Sequence, residues 1–253
     1  MYIEIINKWV IRLSIEYNKF EFTPVFRQEI FNEIKVLCRE EHVEFMKLFE
    51  VFSSFDIFLE PKCKKKDNYS KQYFTRLINI RVRDHFSSAL ILASQGYTID
   101  AISLTRSALE DLFVILNFYL NEDFFKNWTE NNNKFKIKPG KLRNNPKIAR
   151  RDREFYNAVY EILSNIVHPR QNSIYHMMKF HPTVVNRGSE GISRVKKDIN
   201  LINLSFYIYN IQIINLFKTI YINKDDLISL EEITQKLSLI IDENDLNDKL
   251  SNI

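Results

Sequence analysis

Tyr156-Asn157-Ala158-Val159-Tyr160-Glu161-Ile162-Leu163-Ser164-Asn165-Ile166-Val167-His168-Pro169-Arg170 reads as a helix that runs into a proline. Phe155, Val159, Ile162, Leu163 and Ile166 recur at helical spacing and give it an apolar face. Tyr160, Ser164 and His168 stand one turn apart, so they form a polar stripe on a second face, off the core. His168 falls in the last turn. Pro169 lacks the amide hydrogen and clashes with the preceding turn, so the helix stops there.

The same long periodicity recurs on both sides of this stretch, and composition agrees with it. Of 253 residues 45% are hydrophobic and only 4 are glycine. An all-β chain of this length needs many tight turns and the residues that make them. The expected fold class is therefore all-α. A net charge of +4 is too small to imply nucleic acid by itself. Cys38 and Cys63 match neither a disulfide framework nor a zinc motif, which fits a reducing, cytoplasmic location. Glu4, Lys8 and Arg12 interrupt the first apolar run, so it does not read as a signal peptide. Leu201 to Phe217 carries no charge, but it contains Asn203, Asn210, Gln212 and Asn215. It is also shorter than the roughly 20 apolar residues a span needs. It reads as a buried core helix, with no membrane partner.

Three parts are expected: an N-terminal helical extension over 1–60, a helical bundle over 70–222, and a C-terminal helix with an acidic tail over 223–253. In the first part a helix covers 2–19, and a second, capped by Thr23 with Pro24 behind it, runs to about Phe52. A basic linker at 61–69 follows. In the bundle one helix runs from Ser70 to about Ser94 and Gly96 ends it. Thr98 or Asp100 caps the next, which reaches about Leu120. A short helix is expected over 122–131, a loop over 132–147, then the helix 148–167. An irregular stretch over 169–192 precedes long helices at 194–222 and 228–241.

Polar residues at structured positions supply the candidate chemistry. Arg81, Asp84 and His85 project onto or beside the expected apolar face of the first bundle helix. They are either a buried network that fixes helix register or a polar floor beneath an active site. Arg106 and Glu110 are one turn apart: an ordinary i, i+4 pair, or an arginine held so that it points at a phosphate. Histidine is the side chain best suited to proton transfer near neutral pH, which singles out His168. Lys136, Lys138, Lys141, Arg143 and Lys147 crowd the arm that leads into the His168 helix. That arm is a solvated loop or a tracker of RNA phosphates. His176 and His181 could join His168 on a metal, but no carboxylate stands near and the spacing matches no strong motif, so no metal or other cofactor is expected. No glycine-rich phosphate loop and no nucleophile elbow occur.

Ser94-Gln95-Gly96-Tyr97 through Ala101, Leu104, Arg106 and Glu110, followed by Tyr160, Ser164 and His168, resembles a group of bacterial HEPN-like helical proteins. The resemblance covers roughly residues 70–220. It implies a helical bundle that dimerises and acts as a metal-independent endoribonuclease, within a toxin or antiviral defence system and with an antitoxin or other partner protein. The usual signature places an arginine four to six residues before the histidine; those positions here hold Glu161, Ile162 and Leu163. By this resemblance His168, Arg106, Ser164, Tyr160 and Glu110 form the catalytic set. The alternative is a non-catalytic helical module that binds a nucleotide or a partner protein.

Overall fold

The computed structural model describes residues 31–63, 70–130, 139–148, 150–167, 189–221 and 223–241. Among them there is no strand, and the all-α class is observed. Residues 31–37 are helical and turn at Cys38 into α1 (Arg39–Cys63). The order continues α2 (Lys71–Ser94), α3 (Thr98–Leu120), α4 (Glu122–Glu130), α5 (Pro139–Arg143), α6 (Arg150–Val167), α7 (Ser189–Ile220) and α8 (Lys224–Ser238).

α7 is the axis. Every residue from 201 to 210 is buried, as expected of a helix surrounded on all sides. Three of its buried polar residues reach partners on the helices around it. Asn203 and Asn210 donate to the carbonyls of Glu41 and Leu48 on α1, and Tyr209 donates to Asn79 Oδ1 on α2 at 2.6 Å. Phe206 stacks on Phe86 at 4.4 Å between ring centroids and also meets Phe45 and Phe52, so one side chain joins α1, α2 and α7. No helix of the described residues is long and apolar enough to cross a membrane.

Two expectations change here. The helix assigned to an N-terminal extension runs on to Cys63, with Pro61 in its last turn, and buries Phe45, Leu48, Phe52, Phe55 and Leu59 in the same core as α7. α8 likewise buries Leu230, Ile233 and Leu237 there. Within the described residues the three parts are therefore layers of one core. The helix over 2–19 lies outside those residues.

The α2–α3 corner sets the site's height in the bundle. Gln95 caps α2, Gly96 follows at φ 83°, its amide reaches the Ala93 carbonyl and the Tyr97 amide reaches Leu92. This paired closure needs a left-handed residue at 96, where a side chain would be strained. Ser70 caps the other end of α2 by accepting from the Tyr73 amide.

Candidate functional site

The polar cluster expected around Arg106 forms where α3 meets α6. Arg106 Nε donates to Glu110 Oε1 at 3.1 Å and to the Tyr160 hydroxyl at 2.9 Å, and that hydroxyl donates to the same Glu110 oxygen at 2.5 Å. Tyr160 is buried on α6, so the stripe does not lie off the core as its spacing suggested. The apolar face of α6 is Tyr156, Val159, Tyr160, Leu163 and Ile166, with Phe155 and Ile162 at its margins. A tyrosine can join that face because its ring packs while its hydroxyl finds a charged partner. Ser164 is one turn on, with its Oγ buried and without a hydrogen-bond partner among the described residues. His168 lies outside the described residues, as do His176, His181, Lys136 and Lys138.

The arm contributes what sequence spacing did not show. Residues 139–148 contain a short helix rather than a continuous loop, and three contacts made by four asparagines pin this segment down. Asn117 on α3 donates to the Leu142 carbonyl at 3.3 Å and accepts from Asn145 at 2.8 Å; Asn157 on α6 donates to Asn144 at 3.1 Å. Lys147 Nζ donates to the Leu120 carbonyl, where a cation suits the C-terminal end of α3. So fastened, α5 brings the Arg143 guanidinium to 3.5 Å from the Tyr160 ring centroid, while that of Arg106 lies 4.9 Å away. Two cations share one aromatic ring. Lys141 stays exposed. Of the arm residues described, Arg143 and Lys147 are thus engaged by the fold.

Electrostatics follow the geometry. Burial, and then the bond to Glu110, push the Tyr160 hydroxyl above its ordinary value, so it stays protonated and donates. Burial pulls the Arg143 guanidinium down, against the pull of Tyr160 and Glu110 in the other direction.

The expected network of Arg81, Asp84 and His85 is not assembled as such. The buried face of α2 is Thr75, Ile78, Asn79, Val82, Phe86, Ala89 and Ala93, which leaves Arg81, Asp84 and Ser88 exposed. Arg81 instead makes a two-point contact with Asp111 on α3, through Nε at 2.8 Å and through Nη2. Asp84 pairs with its neighbour Arg83. His85 lies beside Asp111 and helps to stabilise its charge, though burial raises the Asp111 carboxyl overall. Asp111 carries a signal that was available: an acid within the apolar run Ala108 to Phe118 must find a cation.

What the cluster can do is hold an anion beside a buried tyrosine whose hydroxyl is tied to a half-buried carboxylate. The groove of about 460 Å³ lined by Arg39, Val43, Lys47 and Ile240 shares no residue with it. Comparison with family models, with characterised proteins and with solved structures finds no match to this chain.

Proposed function

We propose that this all-α protein binds and cleaves RNA without a metal, in a bacterial defence or toxin system. The observation that carries the reading is the placement of Arg106, held between Glu110 and Tyr160. An arginine oriented by a carboxylate is the group that stabilises a transferring phosphoryl centre. The HEPN-like resemblance supports the rest. His168, the residue after Val167 at the end of α6, takes the proton of a 2′-hydroxyl. The 2′-oxygen attacks phosphorus, the bond to the 5′-oxygen breaks as that oxygen takes a proton from water, His168 returns its own proton to solvent, and the products are a 2′,3′-cyclic phosphate and a 5′-hydroxyl. Ser164 and Tyr160 orient the phosphate, and Lys136, Lys138 and Lys141 track the backbone.

Induced expression of wild type and His168→Ala, with growth and total RNA followed together, tests this. Wild type should arrest growth and fragment RNA, and the variant should do neither. Cleavage should persist in EDTA. Equal activity in the variant overturns the reading. Loss in EDTA together with a requirement for His176 or His181 replaces it with a metal site.

A second reading, an interaction module that works as a homodimer, is favoured by α2. Its outer face exposes Leu77, Ile80 and Ile91 at 45%, 38% and 48%. The exposed row Leu77, Ile80, Asp84, Ser88, Ile91 has spacings 3, 4, 4 and 3, symmetric about Asp84. In an antiparallel two-fold contact Leu77 would meet Ile91 of the second copy, and Arg81 and Arg83 flank the central acids. Light scattering should show a dimer that Ile80→Lys with Ile91→Lys converts to monomer. A monomeric wild type removes this contact.

A further inference from the structure

Arg143 is engaged with Tyr160, but not through all of its donors. Arg106, Glu110, Tyr160 and Arg143 together carry two positive charges against one negative, in a half-buried position. Arg106 is held by Glu110 and by the tyrosine hydroxyl. Nε and Nη1 of Arg143 are buried and have no hydrogen-bond partner among the described residues. Buried donors on a cation cost free energy until an acceptor reaches them. Nη2 of the same guanidinium faces Gly140: a methyl group placed there would lie 4.0 Å from it. Three asparagine contacts hold this segment against α3 and α6, so the guanidinium is presented by a fastened segment rather than by a loose arm.

We infer that Arg143 and Arg106 form a two-guanidinium seat on the Tyr160 ring for one phosphate group. Arg143 supplies the fork that binds the anion, and Arg106 supplies the adjoining charge. The arginine missing from positions 161–163 is thereby replaced from a different element, α5 in place of α6. The identity of the phosphate as an RNA phosphodiester rests on the proposed function; the seat itself does not.

The experiment uses the full chain and two probes, pyrophosphate and a short single-stranded RNA of mixed sequence. Ligand-linked stabilisation is read from the melting temperature and affinity from calorimetry. Both probes should bind wild type. Arg143→Gln should weaken both by about ten- to a hundredfold, the loss expected for charge-assisted hydrogen bonds to a phosphate. Arg143→Lys should recover only part, because a point charge lacks the fork. Gly140→Asp deletes nothing and sets a carboxylate against Nη2. It should abolish pyrophosphate binding while its melting temperature without ligand stays at or above that of wild type, which separates the seat from a folding defect. Pyrophosphate binding that depends on Arg143, without RNA binding, keeps the seat and removes the RNA reading. RNA binding untouched by Arg143→Gln and Gly140→Asp removes the seat and keeps the RNA reading. A wild type that binds neither probe overturns both.

Discussion

Alanine at Arg106 and alanine at His168 should each abolish RNA cleavage, and the double variant should be no worse than either. Residues that act on one phosphate as a unit fail together, so the losses do not add. Independent residues would instead multiply their losses. The two variants should differ in stability. Arg106 is mostly buried, with 22% of its side chain exposed, and its removal takes the guanidinium donor from Glu110 and leaves it the Tyr160 hydroxyl. The i, i+4 spacing read alone suggests a cost of about 1 kcal/mol or less. The observed contacts raise the expectation to about 1–2 kcal/mol, the size of a part-buried charged hydrogen bond. Single-turnover cleavage and urea melts on the four proteins check both halves. Multiplicative losses would mean that the two residues serve separate steps. Full activity in Arg106→Ala would leave the cluster a structural ion pair.

Much of this arrangement was legible as helical periodicity. The α2–α3 corner follows from Gly96, and the burial of residues 201–210 follows from an uncharged run too polar for lipid. The Arg106–Glu110 pair follows from i, i+4 spacing. What failed was the rotation of two helices about their axes. On α6 the spacing puts Tyr160 on a polar stripe and leaves Tyr156 off the apolar face, yet each buries its ring, which turns the inward face by part of a turn. On α2 the pattern is weak, because Leu77, Ile80 and Ile91 are exposed while Thr75 and Asn79 are buried. Periodicity cannot orient a helix whose apolar and buried sets differ. The contact of Arg143 with Tyr160 was invisible for another reason. The arginine's approach to that ring depends on Asn117, Asn144, Asn145 and Asn157, and contacts between distant asparagines leave no periodic trace. α1 was cut short at Phe52, yet Phe55 and Leu59 extend its buried face to the basic linker.

Far from the cluster, the N-terminal end of α3 should make the protein less stable as pH rises. Asp198 on α7 is fully buried; it accepts from Thr98 Oγ1 at 3.0 Å and lies 3.3 Å from Arg194 Nε. Burial pushes its carboxyl up to about 6, although Arg194 and Thr98 both favour the charged form. The ordinary carboxyl titrates near 3.9 in the unfolded chain. Between about pH 4 and pH 6 the native state therefore holds more protons than the unfolded state, and stability falls as pH rises through that window. Below it the contribution is fully present; above about pH 7 it is gone. A difference of about two units corresponds to roughly 3 kcal/mol. Burial also raises the carboxyls of Asp56 and Asp111, which act with the same sign, so wild type alone would not isolate Asp198. Asp198→Asn does. Asparagine stands in for the protonated acid and can still accept from Thr98. The stability of wild type relative to this variant, from urea melts at each pH, should decline by about 3 kcal/mol between pH 4 and pH 8. A flat difference would mean that Arg194 fully offsets the burial of the carboxylate. A rising one would mean that the pair titrates as an ordinary stabilising salt bridge, with the Asp198 carboxyl held below its usual range.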